Sequence, residues 1–284
     1  MVNVGLEITS RCNMACSMCG HAVMQRAKAD MPWERFVAVV KDIRDNGHHL
    51  RGIQWYGEPL IAERFIDAIE HLYQQDVPIR NAFYTNCMAL TPEMTERMLA
   101  AGFAKVCGKT KKVWLGVDTL SMEAYAKLRI GGDLPTVLDN AHYFCERMRR
   151  RLPGLKVQRL LTRYNPHEPE TLFVDLFGVP VATRKVGVHW DKTRDVTVKP
   201  FEGDRRAECR ELSGTLFVAQ SGRVTACCID GELEQSCGHV DHQSLEGIYR
   251  SGRRPAQHKG LQAGDYERLP LCRRCTGSEA RGRW

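Results

Sequence analysis

The chain has 284 residues, of which 43% are hydrophobic and 26% charged, a balance typical of a globular protein with a full core. It contains no apolar run long enough to cross a bilayer and no recognisable signal peptide, so we expect a cytoplasmic protein without membrane contacts. The net charge of +7 is mild and partly local. No nucleic-acid-binding motif accompanies the basic runs, which favours solvated helix faces and tails over a nucleic-acid-binding surface.

Residues 1–190 alternate between strand-like and helix-like segments. The predicted strands cover residues 3–8, 51–56, 79–85, 112–118, 155–164 and 184–190. The predicted helices between them cover residues 32–47, 63–75, 92–102, 134–150 and 169–178. About six β/α units in succession predict an α/β fold, in which a parallel sheet curls into a partial (β/α)6 TIM-like barrel.

Polar motifs follow the first three predicted strands. Three cysteines come after the first strand, Gly57-Glu58-Pro59 after the second, and Thr85-Asn86 after the third. Because the carboxyl ends of parallel strands meet at one rim of a barrel, we expect these motifs to share a site there.

The alternation of strand-like and helix-like segments gives way to a polar stretch at residue 191, so we predict a second domain over residues 191–284. Residues 191–208 are polar and predict a linker, and residues 214–228 predict a hairpin turning at Ser221-Gly222. A short helix near 244–251 and a pair of cysteines follow. This region is too small for a large core of its own, so we expect a metal centre to stabilise it.

Twelve cysteines in a chain without an export signal favour metal or redox chemistry over disulfides. Cys12, Cys16 and Cys19 lie within eight residues, in the spacing CxxxCxxC. This spacing is unusual for zinc, which takes four ligands, and no fourth ligand completes the set. The trio therefore favours an iron–sulfur cluster with one iron left open to a small molecule.

These motifs resemble those of the radical S-adenosylmethionine (SAM) superfamily. The resemblance implies that SAM binds the open iron of a [4Fe–4S] cluster and is cleaved to a 5′-deoxyadenosyl radical, which abstracts hydrogen from the substrate. It also implies roles for several residues: Gly57 and Glu58 at the SAM amino group, Thr85 and Asn86 near the ribose or methionine part, and Arg129 at the carboxylate. The chain departs from the family pattern at Met18, Cys87 and Gly116, where an aromatic residue, Gly and Ser are usual.

The second domain resembles the SPASM/twitch extension of the same superfamily. There, Cys209, Cys227, Cys272 and Cys275 correspond to the ligands of one auxiliary [4Fe–4S] cluster, without a second such cluster. A four-cysteine zinc site is the alternative that the spacing leaves open.

The whole pattern is similar to that of aminocyclitol- and sugar-modifying members such as the butirosin-pathway dehydrogenase. That similarity implies oxidation of a carbinol C–H to a ketone, with the auxiliary cluster as electron acceptor and flavodoxin or ferredoxin as the external reductant. One alternative is an epimerase in which a thiol, Cys237 or Cys228, returns the hydrogen atom. Two others are a ribosomal-peptide maturase and a zinc-stabilised nucleic-acid-binding protein.

A dehydrogenase also requires a general base for the hydroxyl proton. His189 and Asp191, at the end of the sixth predicted strand, and Asp230, after the auxiliary ligands, are the candidates. Arg163, Asn165 and His167, after the fifth strand, are candidate substrate contacts.

Overall fold

The structure is a computed structural model that describes residues 1–185, 209–250, 252–265, 269, 271–272 and 275. The predicted linker over 191–208 and the candidate bases His189 and Asp191 lie outside the described residues. The described part combines a curved parallel sheet, helices on its outer face and a smaller C-terminal unit.

Six parallel strands form the barrel wall. They are β1 (Asn3–Leu6), β2 (His49–Gly52), β3 (Ala82–Thr85), β4 (Lys112–Gly116), β5 (Leu155–Leu161) and β6 (Val181–Lys185). β1 pairs with β2, and β3 to β6 pair in sequence order. Backbone bonds from Arg80 N to Leu50 O (2.9 Å) and from Asn81 N to Arg51 O (3.1 Å) join the two groups. The α/β partial barrel is therefore confirmed.

Helices cover the outer face of this wall. They are α1 (Trp33–Asp45), α2 (Phe65–Gln74), α3 (Pro92–Ala100), α4 (Phe103–Val106), α5 (Met122–Leu128), α6 (Leu134–Met148) and α7 (Glu170–Phe177). α1 begins after Pro32 and buries Phe36, Val39, Val40 and Ile43 against the sheet, as its apolar spacing predicts. Within the described residues, no helix is both long enough and apolar enough to span a membrane.

None of the six predicted strands has the same bounds in the structure, and the reasons are clearest for the second and the sixth. The second ends at Gly52 rather than at residue 56, because the chain turns across the end of β1, where Glu58 N bonds to Arg11 O (2.9 Å). The sixth begins at Val181 rather than at residue 184, because it pairs with β5 from Val157 onward.

The C-terminal unit begins with α8 (Arg210–Gly214) and a hairpin. β7 (Thr215–Val218) and β8 (Arg223–Thr225) are antiparallel, and Gly222 takes the positive φ of +91° that their turn requires. β9 (Ser236–His239), α9 (Leu245–Arg250) and α10 (Arg253–Gln262) follow. The predicted hairpin and short helix are thus confirmed.

The sequence did not predict where this unit attaches. β7 pairs in parallel with β1 over four residue pairs, from Asn3 with Thr215 to Leu6 with Val218. The C-terminal unit therefore extends the barrel sheet beyond β1.

We expect the seam between β1 and β7 to depend on the absence of a side chain at Gly5. A Cβ there would lie 2.8 Å from the Phe217 ring, so Gly5→Ala should cost about 1–3 kcal/mol through overpacking. Thermal unfolding of the anaerobic holoprotein measures the loss. When Gly5→Ala is made in a Phe217→Leu background, it should cost much less stability, because the ring that the new Cβ would meet is absent.

The matched control is Gly214→Ala, whose Cβ would meet only Asn3 Nδ2, at 4.0 Å. Its melting temperature should not fall. Strictly additive effects of the changes at Gly5 and Phe217 would contradict this account of the seam.

Candidate radical SAM active site

The loop between β1 and α1 carries the first three cysteines at the carboxyl end of β1. Cys19 N bonds to Cys16 O (3.0 Å), and the loop is anchored to the end of α5 by a bond from Ser17 N to Leu128 O (3.0 Å). Burial raises the pKa of Cys12 to about 11 and that of Cys19 to about 12, and in both cases the charge of Cys16 adds to the rise. The three thiols are therefore electrostatic neighbours.

Glu58 presents a buried carboxylate to this loop. Its oxygens accept hydrogen bonds from Thr85 Oγ1 (2.8 Å) and Asn86 N (2.8 Å). Burial raises the pKa of Glu58 to about 7, and these hydrogen bonds oppose the rise. A buried carboxylate poised in this way is suited to an ammonium group, which would replace the lost solvation.

Asn86 and Arg129 each reach a cysteine of the loop. Asn86 Nδ2 lies 3.8 Å from Cys12 Sγ and donates to Asn13 Oδ1 (2.7 Å). Arg129 Nη1 lies 3.7 Å from Cys16 Sγ. The structure thus brings the residues predicted to contact SAM around one three-cysteine loop.

Asp118 holds the Arg129 guanidinium in place. Its Oδ2 accepts from Arg129 Nε (2.8 Å), and its Oδ1 accepts from Leu160 N (2.9 Å). Asp118 is fully buried, and only 11% of the Arg129 side chain is exposed. The pair therefore fixes a cation beside the cysteines.

Two glycines leave room in this site. At Gly57, a Cβ would lie 2.2 Å from Thr9 O and 2.7 Å from Arg11 O. At Gly116, it would lie 2.5 Å from Arg129 Nη2. Glycine at 57 allows the close approach of two backbone carbonyls, and glycine at 116 leaves the volume that the Arg129 guanidinium occupies.

The donor set fits a cluster with an open iron and a zwitterionic ligand. Thiolates are the usual ligands of iron–sulfur clusters. The carboxylate of Glu58 and the guanidinium of Arg129 supply opposite charges for an ammonium and a carboxylate. The hydroxyl of Tyr125 is buried beside them and has no hydrogen-bond partner among the described residues. Within the described ranges, no three His, Cys, Asp or Glu side chains form a set that could hold a metal ion in the structure as it stands.

The four cysteines of the C-terminal unit are electrostatic neighbours. Burial raises the pKa of Cys272 to about 11, and the next contributions come from Cys209 and Cys275. Burial also raises the pKa of Cys227, to which Cys272 contributes. Cys275 N bonds to Cys272 O (3.3 Å), which closes the CxxC turn. A four-thiolate site is the natural use of this arrangement.

Asp230 organises the loop that follows Cys227. Its two oxygens accept hydrogen bonds from Thr225 Oγ1 (2.8 Å), Glu234 N (2.8 Å) and Gln235 N (3.0 Å). These contacts make it a structural carboxylate rather than one that faces a substrate.

The two candidate thiol donors have different surroundings. Cys237 is buried within the hydrophobic core, and burial raises its pKa to about 12. Cys228 is half-buried at the edge of the C-terminal unit, and its carbonyl accepts from Trp55 Nε1 (2.8 Å). Cys228 is thus the one nearer to the barrel rim.

The residues after β5 are not gathered at the cysteine loop. The Asn165 side chain makes hydrogen bonds within the protein: its Nδ2 donates to Asp118 O (2.7 Å), and its Oδ1 accepts from Thr162 N (2.8 Å). Arg163 lies over the Tyr164 ring, 4.9 Å from its centroid, and His167 is exposed.

Tyr56 was not among the predicted site residues, yet it is an electrostatic neighbour of cysteines from both sites. Burial raises its pKa well above the ordinary value, and the next contributions come in order from Cys228, Cys19 and Cys227. Its backbone N–H donates to Glu7 Oε1 (3.4 Å), and its ring centroid lies 5.1 Å from that of Trp55. Its place beside Gly57-Glu58 was the available sequence signal.

Comparison with protein families decides the class. The family model described as the radical SAM superfamily matches residues 6–173. The chain belongs to the radical SAM superfamily. An iron–sulfur cluster-binding domain, SPASM, matches residues 209–276. The protein is therefore a radical SAM enzyme whose cofactors are SAM, a [4Fe–4S] cluster and auxiliary iron–sulfur chemistry in the SPASM domain.

Solved structures share this fold at low sequence identity. BtrN in complex with AdoMet and 2-DOIA has a TM-score of 0.64 and 15% identity, over 98% of this chain and 93% of BtrN. Streptococcus suis SuiB bound to precursor peptide SuiA has a TM-score of 0.68 and 13% identity, over 97% of this chain and 71% of SuiB. At these identities the likeness concerns the fold.

A curated relative is similar over part of its length. It is the tungsten-containing aldehyde ferredoxin oxidoreductase cofactor-modifying protein of Pyrococcus furiosus, 30% identical over 99 residues. The match covers 34% of this chain and 27% of the relative, so the chain spans about a quarter of that protein's length.

We predict that Asp118→Asn weakens SAM binding by about tenfold, because it leaves the buried Arg129 cation without its charge-assisted hydrogen bond. Titration of the reduced protein with SAM, followed by the change in the cluster's electron paramagnetic resonance (EPR) signal, measures the affinity.

Glu123→Gln is the matched control, because Glu123 pairs with Lys127 on the exposed side of α5. It should bind SAM as the parent does. Equal affinities of the Asp118→Asn variant and the parent would refute the assigned contact.

Proposed function

We propose that this enzyme oxidises a carbinol C–H of an aminocyclitol or sugar to a ketone in the cytoplasm, with SAM as the source of the abstracting radical. In this proposal Cys12, Cys16 and Cys19 hold the SAM-binding cluster. The cysteines proposed to hold one auxiliary [4Fe–4S] cluster are Cys209, Cys227, Cys272 and Cys275. Flavodoxin or ferredoxin is the proposed external reductant.

The supporting observation is that residues 55–58 connect the two cysteine sites: Trp55 Nε1 donates to Cys228 O (2.8 Å), and Glu58 N donates to Arg11 O (2.9 Å) next to Cys12. Tyr56 lies within this segment. Its electrostatic neighbours include Cys19 of the first site and Cys227 of the second. In this proposal a substrate bound near residues 55–58 has a hydrogen acceptor at the first site and an electron acceptor at the second. Net oxidation of an alcohol requires both.

The number of thiols supports a single auxiliary cluster. Of the twelve cysteines, three are buried in the barrel core: Cys87, Cys107 and Cys145. Once the seven proposed ligands are assigned, Cys228 and Cys237 remain, and two thiols do not make a second four-thiolate site. One auxiliary cluster is the arrangement expected of the proposed dehydrogenase.

The bound cofactors supply the hydrogen-abstracting radical and the electron acceptor, and the chain's residues bind and orient them. Glu58 and Arg129 are proposed to hold the two ends of the amino-acid part of SAM, and Asp118 to fix Arg129. Gly57 lets the chain before Glu58 pack against Thr9 O and Arg11 O, and Gly116 leaves space for the Arg129 guanidinium. Thr85 and Asn86 keep the Glu58 carboxylate oriented.

Epimerisation is the second candidate, and the surroundings of Cys228 favour it as the hydrogen-atom donor over Cys237. Cys228 lies beside Trp55 and electrostatically next to Tyr56, whereas Cys237 packs in the core. A donor must reach the substrate radical, which a core thiol does not. Peptide maturation is a further candidate, because the fold is similar to that of SuiB bound to precursor peptide SuiA. The deuterium-transfer assay described next distinguishes it from the other two.

We expect carbinol-deuterated aminocyclitols or aminosugars to transfer deuterium to 5′-deoxyadenosine, with one SAM consumed per ketone formed. Abstraction at a carbinol carbon transfers its deuterium to the deoxyadenosyl carbon, and net oxidation does not return this deuterium to the substrate. Mass spectrometry of both products, from anaerobically reconstituted enzyme, measures the transfer.

An epimerase would instead give a product of unchanged oxidation state containing one solvent-derived hydrogen, lost in Cys228→Ala. Deuterium transfer from a peptide, and from none of the alcohols, would replace the proposed substrate class with a peptide.

We predict that Cys272→Ala/Cys275→Ala separates hydrogen abstraction from oxidation. Two ligands of the proposed auxiliary cluster are lost while the first site keeps its three cysteines. At saturating SAM, the variant should retain about half the iron and form 5′-deoxyadenosine, but little ketone. Iron analysis and product quantification test this prediction. Ketone formation at the parent rate would remove the auxiliary site from the reaction.

A further inference from the structure

The loop after Cys19 lies directly against the loop after Cys227. The backbone N–H groups of Gln25 and Arg26 donate to the two carboxylate oxygens of Glu232, at 2.6 and 3.0 Å. Arg26 Nε also donates to the carbonyl of Gly231. The Glu232 carboxylate therefore caps two consecutive amides of the SAM-cluster loop, the segment between β1 and α1 that carries Cys12, Cys16 and Cys19.

Arg26 continues this contact into the barrel. Its Nη2 donates to Glu7 Oε1 (2.6 Å), and Glu7 is completely buried just beyond β1. Burial raises the pKa of Glu7, and its hydrogen bond with Arg26 opposes that rise. The same carboxylate accepts from Tyr56 N (3.4 Å) and Gln220 N (3.3 Å). Arg26 thus links the first cysteine loop to residues that follow β2 and β7.

A third contact lies beside these two. The Arg26 guanidinium lies 5.7 Å from the centroid of the Trp55 ring, whose N–H donates to Cys228 O (2.8 Å). The backbone immediately after Cys227 is therefore tied to the same arginine through an aromatic ring. A single guanidinium thus contacts Glu7, Gly231 and Trp55 together.

The contacts of residues 25–26 depend on the conformation of the loop after Cys227, which contains Gly231 and Glu232. Only 11% of the Arg26 side chain is exposed, and a buried cation that loses its partners is costly. A shift of residues 231–232 would remove the cap from residues 25–26 and the carbonyl from Arg26 at once. The free energy of that loop is therefore coupled to the free energy of the loop that carries Cys19.

We propose that Glu232 and Arg26 are positioning residues through which an occupied auxiliary site holds the SAM-cluster loop in its SAM-binding conformation. The inference rests on the proposed assignment of Cys227, Cys272 and Cys275 as auxiliary ligands. Ligation of Cys227 fixes the start of the loop that ends in Gly231-Glu232. The auxiliary site thereby contributes to SAM affinity as well as to any electron transfer.

A double-mutant cycle on the reconstituted full chain tests the coupling. Its members are the parent, Glu232→Gln, Cys272→Ala/Cys275→Ala and the combination. We expect each change alone to weaken SAM binding by about fivefold or more, the usual lower range of coupling between sites. The combination should be no weaker than the worse of the two. SAM titration followed by the EPR signal of the first cluster measures the affinity.

Hydrogen exchange supplies a readout that does not depend on turnover. Without SAM, residues 20–29 should exchange faster in Glu232→Gln and in the cysteine variant than in the parent. Glu234→Gln is the matched control, since Glu234 is an exposed carboxylate of the same loop. Its SAM affinity should stay within about twofold of the parent, the scatter of surface substitutions.

Multiplicative losses in the combined variant would overturn the proposal, as would unchanged exchange of residues 20–29 in Glu232→Gln. If the cysteine variant is insoluble, the comparison of Glu232→Gln with Glu234→Gln decides alone. Equal affinity and exchange in those two proteins overturn the proposal. Coupling without conversion of any alcohol would count against the proposed reaction and leave this inference standing.

Discussion

The parallel pairing of β7 with β1 is the constraint on which the arrangement of the two sites depends. Four residue pairs, from Asn3 with Thr215 onward, attach the C-terminal unit to the edge of the barrel. The chain after β1 enters the first cysteine loop, and the hairpin begun by β7 leads to Cys227. Since neighbouring parallel strands end on the same side, the turn that follows β7 lies close to the residues that follow β1, and Gln220 N donates to Glu7 Oε2 (3.3 Å). The chain then returns through the antiparallel strand β8 to Cys227, and the loop after it meets the first cysteine loop through Glu232, which accepts from Gln25 N and Arg26 N.

Sequence reasoning located the first site because its residues follow strand ends. Glu58 and Asn86 are separated along the chain, but both follow strands whose carboxyl ends share one rim, and the structure joins them by a hydrogen bond. That inference needed only the order of strands and helices. It tolerated errors of several residues in the strand bounds, as in β2 and β6.

The contacts between the two units could not be predicted in this way. Glu7 reads as an ordinary polar residue of an edge strand, and Arg26 as a surface cation in a loop. Their pairing depends on the position of residues more than 200 further along the chain, such as Gln220 and Glu232. No local periodicity encodes such a contact. The contacts of Asp230 are local by comparison, since its three donors, Thr225, Glu234 and Gln235, lie within five residues of it along the chain.

The departures from the family pattern at Cys87 and Gly116 have physical explanations in this chain. Cys87 adopts a φ of +66°, which glycine takes without strain, but its thiol is completely buried in the core and its N–H bonds to Thr85 Oγ1 (3.1 Å). At Gly116, any side chain would meet the Arg129 guanidinium. Arg129 in its present place therefore requires glycine at 116. Residues 116 and 129 therefore form one unit, in which the Arg129 guanidinium occupies the volume that a serine side chain at position 116 would take.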